Sequence, residues 1–371
     1  MKQIKLSPIL MTIALAVLLA SCHKDKINPK PDTPTASRAG LYVLNQGIFQ
    51  ANNSSLTYYD YTTKQLVPDI YSSVNGSPLG DTGNDIEIYG SKMYIVVNYS
   101  NVVDIVNAKT SKLIKQISMV NASLPAPNNG RQPRSVAFYK NNAFITSYDG
   151  TVAVMDTATL TISKYITVGR NPEQLVVSNG KLYVANSGGL SFGNPDKTVS
   201  VIDLNTLTET KKITVLPNPV SIAADDYGHV YVLSLGITDY SGTPPTIVAP
   251  PGMTIIDNKT DVSISQTNLS LGYNIPMAVL GDFVYYVTAD NKIAVYNAKT
   301  QSAAQANFIT DGTVITSPFA IATDSLTGEV FVTDAKDYSS NGTLYAFDKN
   351  GKKEYSITTG ISPGKVAFVN K

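Results

Sequence analysis

The sequence predicts an all-β protein, a seven-bladed β-propeller with four antiparallel strands in each blade. An apolar strand followed by Asp or Asn, two variable residues and usually Thr occurs seven times, for example as VVDIVNAKT, VAVMDTAT and VSVIDLNT. Units of four strands recur at about 40–45 residues, which is the spacing of propeller blades. A β-sandwich also has many short strands, but it would not give seven matching four-strand units.

Each unit has four parts in a fixed order. First comes a short apolar strand that usually follows a proline, and Gly83 takes the proline position in the second unit. The prolines are Pro133, Pro172, Pro219, Pro276 and Pro318. An aromatic-centred strand such as KLYVANS follows, then a strand that ends at the repeated Asp/Asn turn, then a fourth strand. Asp and Asn accept hydrogen bonds from backbone N–H groups two residues on, so we interpret the repeat as a turn and not as seven metal sites.

The two ends of the chain complete one blade. The first unit begins at Leu41 with its second strand, and the C-terminal segment 363–369, PGKVAFV, reads as a first strand with nothing after it. Pairing the two closes the ring and removes exposed strand edges. We therefore expect one propeller domain over residues 40–371.

The N-terminus has the features of a lipoprotein signal. Lys2 and Lys5 precede a short apolar run, and the segment Leu19-Ala20-Ser21-Cys22 resembles a bacterial lipobox. This resemblance implies a signal peptide over residues 1–21 and lipidation of Cys22, the single cysteine of the chain. The polar, Pro-rich segment 22–39 reads as a flexible tether. We expect a lipid anchor in the outer membrane, with the protein facing the cell exterior.

The charge balance excludes one class of partner. The chain has 29 Lys and Arg against 28 Asp and Glu, a formal net charge of +1. Nucleic-acid binding needs a basic face, so no nucleic-acid partner is expected.

All the long insertions fall on one face of the predicted disc. Strand direction alternates within a blade, so the connections between strands two and three and between blades share a face; these include 45–54, 186–197 and 234–252. Loops carry function more often than the scaffold does, and we expect the binding surface there. The candidate ligand-binding residues on this face are Asn45, Gln46, Asn84, Asp85, Asn98, Tyr99, Arg131, Arg134, Tyr148, Asp149, Arg170, Asn186, Phe192, Tyr240, Asn274, Asp290, Phe319, Asp334 and Tyr338.

Catalysis is poorly supported by the sequence. Of the two histidines, His23 lies beside the lipidation site and His229 starts a strand on the opposite, plain face. No Ser-His-Asp set or histidine-based metal cluster can therefore be built on the long-loop face. We expect no catalytic residues, no metal and no cofactor, although Asp85, Asp149 and the other face carboxylates leave an acid–base pair or a calcium site open.

The strands and turns such as YVAN and VIDLNT resemble those of YncE-type seven-bladed propellers. The layout of the whole chain gives a more specific resemblance. The lipobox at Cys22, the Pro-rich tether, the opening LYVLNQG and the strand pair NDIEIYGSKMYIVVN together resemble BtuG-type surface lipoproteins of Bacteroides. That resemblance implies tight binding of cobalamin and related corrinoids, and delivery to a TonB-dependent outer-membrane transporter of the BtuB type. Two alternatives remain: a propeller that binds a glycan or a partner protein, and a lactonase or lyase that uses carboxylates and calcium.

Overall fold

The computed structural model describes residues 37–126, 129–191 and 193–371. The signal segment, Cys22 and Phe192 lie outside the described residues. Seven four-stranded antiparallel sheets make up the described chain, together with one two-stranded sheet. The predicted seven-bladed β-propeller is confirmed.

Blade 1 is built from both ends of the described chain. From the axis outward its strands are β30 (Pro363–Asn370), β1 (Arg38–Asn45), β2 (Ser55–Asp60) and β3 (Leu66–Val67). The register of β1 against β30 runs from Arg38 opposite Asn370 to Asn45 opposite Pro363. The predicted closure of the ring by the C-terminal strand is therefore confirmed.

Blades 2 to 4 follow the chain order from the axis outward. Blade 2 consists of β4 (Gly83–Tyr89), β5 (Lys92–Val97), β6 (Val102–Asn107) and β7 (Leu113–Ser118). Blade 3 consists of β8 (Pro133–Tyr139), β9 (Asn142–Ser147), β10 (Thr151–Asp156) and β11 (Thr161–Thr167). Blade 4 consists of β12 (Pro172–Ser178), β13 (Lys181–Asn186), β14 (Thr198–Asp203) and β15 (Thr208–Thr214).

Blades 5 to 7 have the same order. Blade 5 consists of β16 (Pro219–Ala224), β17 (His229–Ser234), β20 (Gly252–Asp257) and β21 (Val262–Asn268), and its long loop holds a separate hairpin of β18 (Ile237–Asp239) and β19 (Thr246–Ala249). Blade 6 consists of β22 (Met277–Leu280), β23 (Phe283–Val287), β24 (Ile293–Asn297) and β25 (Ser302–Gln305). Blade 7 consists of β26 (Pro318–Thr323), β27 (Val330–Asp334), β28 (Asn341–Phe347) and β29 (Lys353–Ile361).

The core is a set of layers between neighbouring blades. Side chains alternate along the central strand β5: Met93 and Ile95 pack toward blade 1, whereas Tyr94 and Val96 pack toward blade 3. Period-two alternation with both faces apolar is what a strand buried on both sides requires. Each blade therefore contributes to two layers, and the first strands of all seven blades lie side by side around the axis.

The repeated turns have the hydrogen bonds that the sequence predicts. Asp203 Oδ1 accepts from the backbone N–H of Asn205 at 2.8 Å and of Thr206 at 2.9 Å, and Asp257 Oδ1 accepts from Thr260 N–H at 2.8 Å. These N–H groups lower the pKa of both carboxyls because they bind the charged form. The turns lie on the plain face, opposite the long loops.

One short helix, α1 (Ile70–Asn75), appears among the described residues and was not expected from the sequence. Asp69 caps its N-terminus by accepting from Ser72 N–H, and Gly76 ends it with a left-handed φ of 69°. The buried Tyr71 points inward, and its hydroxyl donates to Asp104 Oδ2 at 2.7 Å. The helix thus ties blade 1 to blade 2.

Candidate functional site

A cavity of about 670 Å³ lies on the propeller axis and opens on the long-loop face. The residue that follows the repeated proline, or Gly83 in blade 2, lines it in every blade. These seven residues, which we call the axial ring, are Asn84, Arg134, Glu173, Val220, Met277, Phe319 and Gly364. The innermost strands begin at this face, so the same position of each repeat is brought to one circle.

The axial ring is divided into a polar and an apolar half. Blades 2 to 4 contribute Asn84, Arg134 and Glu173. Blades 5 to 7 contribute Val220, Met277 and Phe319. Loop residues that follow strands of blade 5 extend the apolar half, namely Leu235, Ile237, Ile247, Leu271 and Tyr273. The cavity can therefore accept a ligand with one apolar and one polar side.

Arg134, Glu173 and Tyr148 form the centre of the polar half. Glu173 Oε2 accepts from Arg134 Nε at 2.8 Å and lies 2.7 Å from Nη2, and Glu173 Oε1 accepts from the Tyr148 hydroxyl. The guanidinium lies over the Tyr148 ring, 4.6 Å from its centroid. Burial and the charge of Glu173 raise the pKa of Tyr148. Burial lowers the pKa of Arg134, but Glu173 outweighs this effect and raises it. The cluster joins blades 3 and 4 rigidly.

A second charged cluster lies at the floor of the cavity. Asp85 is buried; its Oδ2 accepts from Val136 N–H at 2.9 Å and from the Ser135 hydroxyl, and its Oδ1 lies 3.4 Å from Lys365 Nζ. Two residues further along β4, Glu87 is exposed.

Burial and neighbouring charges shift the pKa values of Glu87 and Lys365. Burial and the charge of Asp85 raise the pKa of Glu87 to about 7, against the opposing effect of Lys365. Burial lowers the pKa of Lys365, but Asp85 and Glu87 together outweigh it and raise that pKa.

The structure brings some of the sequence-predicted residues together at the cavity and places Asp85 directly beneath it. The candidates that line the cavity are Gln46, Asn84, Arg134, Tyr148, Tyr240, Asn274 and Phe319. Tyr338 packs edge-on against Phe319, with ring centroids 5.8 Å apart, and so supports the apolar half from outside.

Other candidates hold the ends of the blades. The buried Asn45 donates to Thr57 Oγ1 at 3.0 Å, Asn98 to the Pro133 carbonyl at 3.0 Å, and Asn186 to Ser200 Oγ at 2.9 Å. Asp334 accepts from the backbone N–H groups of Thr316 and Ser317 at 3.1 and 2.8 Å. These hydrogen bonds lie within the scaffold.

The remaining candidates lie outside the cavity lining. Arg131 forms an ion pair with Asp149, and its guanidinium lies 4.0 Å from the centroid of the Tyr165 ring. Asp290 pairs with Lys292 at 2.7 Å, and the Tyr99 hydroxyl accepts from Gln50 Nε2 at 2.9 Å. Arg170 donates to Ser191 Oγ and to the Asn194 carbonyl, both at 3.1 Å.

Sequence reasoning missed Glu173, Lys365, Glu87 and Tyr273. The signal for Glu173 is available, because aligning the repeats on their prolines places it in the same column as Arg134 and Phe319. Lys365 lies one position further on, in the column of Asp85. Tyr273, which is 91 % exposed at the cavity mouth, belongs to a connection between blades and has no equivalent in the other repeats.

The carboxylates that the sequence left open as an acid–base pair or a calcium site do not converge. Asp85, Asp149, Asp290 and Asp334 each have separate partners. Within the described ranges, no group of three or more His, Cys, Asp or Glu side chains is arranged to hold a metal ion. Likewise, none of the helices described is long and apolar enough to cross a membrane.

The fold and the axial cavity define a β-propeller with a central ligand-sized site. The chain belongs to the family described as "Domain of unknown function (DUF5074)", whose model matches residues 39–360. No curated protein matches it.

Solved structures share the fold at low identity. A quinoprotein alcohol dehydrogenase-like protein from Bacteroides thetaiotaomicron is 18% identical, with a TM-score of 0.63, over 90% of this chain and 78% of that one. The hydrazine synthase of Kuenenia stuttgartiensis is 14% identical, with a TM-score of 0.61, over 77% and 89% of the two chains. The computationally designed Ika8 protein is 14% identical, with a TM-score of 0.54, over 90% and 91%. At these identities the likeness shows the fold alone.

Proposed function

We propose that this protein is a binding protein, not an enzyme, which captures an amphiphilic small molecule in the axial cavity. The observation that carries the proposal is the division of the axial ring into a polar and an apolar half. The cavity volume of about 670 Å³ lies within the range of small-molecule sites. The ligand that we propose is cobalamin or a related corrinoid, in line with the resemblance to BtuG-type lipoproteins.

A corrinoid suits the chemistry of this cavity. Its ring is an apolar disc edged with amide side chains. Gln46 offers an amide donor and acceptor, and Asn84 and Asn274, whose Nδ2 groups donate to backbone carbonyls, offer their amide oxygens. Phe319 and Tyr273 offer flat apolar contact. A corrinoid is larger than an ordinary cofactor-sized ligand, so we expect part of it to rest against the long loops at the cavity mouth.

The protein should recognise the periphery of the corrinoid and not its cobalt. His229 is the one histidine within the described residues, and its Nδ1 lies 2.9 Å from Asp225 on the plain face. No histidine of the described residues lines the axial cavity. We therefore expect cyano and adenosyl forms to bind with similar affinity.

Capture of the ligand is tested by the visible absorbance of cyanocobalamin that stays with the protein. Purified full-length protein in detergent is mixed with cyanocobalamin and desalted, and we expect about one equivalent in the protein peak. The Phe319→Ser variant removes flat contact at the cavity, and we expect its Kd to rise roughly 10–100-fold. Phe283→Ser is the matched control, because Phe283 is 39 % exposed at the start of β23 on the plain face. A colourless protein peak, or equal loss in both variants, contradicts the proposal.

We further propose that the lipidated protein faces the cell exterior and hands the ligand to a TonB-dependent outer-membrane transporter of the BtuB type. The lipobox-like segment before Cys22 supports the anchor. The exposed Tyr240, Ile247 and Tyr273 at the cavity mouth give the transporter an apolar rim to contact.

The transporter partnership is tested by co-purification. Both proteins are expressed together, and the transporter is purified in mild detergent. We expect the propeller to co-purify with it, and an Ile247→Asp variant to be depleted because a charge disrupts an apolar contact. Val262→Asp is the control, since Val262 is exposed on an outer strand. Repeated failure to recover the pair counts against the partnership.

A further inference from the structure

The hairpin of β18 and β19 stands on the long-loop face and forms one wall of the cavity mouth. It occupies residues 237–249 of the loop between β17 and β20. In the described chain its two strands pair only with each other, with Thr238 opposite Ile247. The hairpin residues that line the cavity are Ile237, Thr238, Tyr240 and Ile247.

The hairpin is held to the rest of the protein only at its base. There the Gly236 N–H donates to the Pro217 carbonyl at 2.9 Å, and the Leu269 N–H donates to the Pro251 carbonyl at 3.0 Å. Between these points, residues 237–250 make no hydrogen bond to any other described part of the chain. None of their side chains belongs to the described layers between blades 4, 5 and 6. Segments with so few outside contacts have low local stability, and lids are drawn from such segments.

The two connections at the base lie side by side. Gly236 has a left-handed φ of 72°, and a Cβ on it would lie 2.2 Å from the Ala249 carbonyl oxygen. The chain returns to the blade through Pro250 and Pro251. A hinge needs only a few residues at the ends of an element to absorb the change in backbone angles. The hairpin can therefore turn as a unit about this narrow base.

Large apolar side chains are left exposed around the cavity mouth. Tyr240 and Ile247 on the hairpin and Leu190 on the loop of blade 4 line the cavity and are exposed to solvent. Clustered apolar side chains of this kind mark a binding surface. The cavity lining continues onto the hairpin without a break, so the occupant that covers these side chains is the ligand of the cavity. Burial of apolar area against that ligand favours movement of the hairpin onto it.

We propose that the β18–β19 hairpin is a lid, which closes over the ligand of the axial cavity and must open before the ligand leaves. This inference rests on the proposed function, because the lid acts on the ligand captured there. Ile247 and its cross-strand partner Thr238 form the side that meets the ligand. Val248 points to the opposite side, since neighbouring residues of a strand alternate, and in the described structure it is not part of the cavity lining.

The lid is tested by the rate of ligand release. Full-length protein in detergent, without the transporter, is loaded with radiolabelled cyanocobalamin and chased with unlabelled cyanocobalamin. We expect Ile247→Ser to speed release about tenfold and to change the association rate less than about twofold, because the lid acts after entry. Val248→Ser is the matched control: both side chains are 63 % exposed on the same strand, but only Ile247 lines the cavity. We expect the control to alter release less than about twofold.

Removal of the whole hairpin gives the larger effect. Two glycines replace residues 237–250 between Gly236 and Pro251, whose positions at the base are close together. We expect release to be about 100-fold faster, since every contact of the lid is lost. The thermal midpoint should stay unchanged, because the hairpin adds nothing to the described layers between blades 4, 5 and 6.

Mobility of the lid is tested without any ligand by hydrogen–deuterium exchange. In the free protein we expect the amides of residues 237–250 to exchange much faster than those of β17 and β20, which lie inside the sheet of blade 5. In the cyanocobalamin complex we expect the same segment to become protected. Exchange in the free protein as slow as that of β17 and β20 would overturn the lid.

The release experiment separates the lid from the proposed function. Equal release rates for Ile247→Ser and Val248→Ser, or unchanged release after removal of the hairpin, overturn the lid and leave the capture of cobalamin standing. If the unaltered protein retains no cyanocobalamin, the proposed function fails, and a lid over that ligand fails with it.

Discussion

Deletion of residues 363–371 is expected to abolish the folded propeller. The segment supplies β30, the innermost strand of blade 1, which pairs with β1 along eight residues, Arg38–Asn45. It also carries Ala367 and Val369 into the layer between blades 1 and 2. Its loss exposes the edge of β1 and opens the ring, and an unpaired strand edge invites aggregation. We expect no cooperative thermal transition and a loss of the monomer peak in gel filtration.

Two controls separate ring closure from a simple loss of length. Deletion of Lys371 alone should leave the thermal midpoint unchanged, because this residue is exposed beyond the end of β30. A synthetic peptide of residues 363–371, added in trans during refolding, should restore part of the folded population. A truncated protein that remains monomeric with the original midpoint would refute the role given to β30.

Replacement of Arg134 by Leu is expected to destabilise the protein by about 3 kcal/mol, because it leaves a mostly buried carboxylate without its partner. Glu173 would keep only the Tyr148 hydroxyl bond to one oxygen. The variant also removes the ring residue that joins blades 3 and 4, so ligand capture should fall with stability. The free energy of unfolding is measured by urea titration.

The double variant Arg134→Leu with Glu173→Gln should recover much of that loss, since no uncompensated charge remains. The exposed pair of Lys212 and Glu209, 2.8 Å apart on β15, serves as the matched control. Lys212→Ala should change the free energy of unfolding by less than about 0.5 kcal/mol. Equal losses at the two pairs would show that burial of the Arg134 cluster has no special effect.

Much of the fold follows from local chemistry that repeats. Each Asp/Asn turn is specified by its own side chain, and strand alternation is set by period-two patterning, so the number of blades and the closing strand are readable from the sequence. The helix α1 cannot be read from the sequence in this way, because the residues that specify its ends, Asp69 and Gly76, occur once and are not repeated in the other blades. The hairpin β18–β19 likewise occurs once, within a segment that reads only as a long loop.

The site is harder to predict from the sequence, because residues of the same type make different contacts in the structure. Asn45 and Asn84 both occur at strand ends on the long-loop face. The Nδ2 of Asn45 donates to Ser55 and Thr57 inside blade 1, whereas Asn84 lines the cavity and its Nδ2 donates to the Arg134 carbonyl. Which amide remains available depends on neighbours supplied by other parts of the chain. The polar and apolar halves of the axial ring appear only when the seven repeats are set in a circle.

Under the proposed function, exchanges within the axial ring should change the ligand that the cavity binds. Each blade contributes one ring residue, and that residue is separate from the Asp/Asn turns; in blade 1 it is Gly364, which lies in the closing strand β30. Val220 and Met277 pack against the same layer between blades 5 and 6, so we expect an exchange at one to affect the other. Arg134 and Glu173 are coupled more strongly, because they form a mostly buried ion pair. Related chains that keep the prolines and differ in the column after them should therefore have the same architecture and diverge in what they bind.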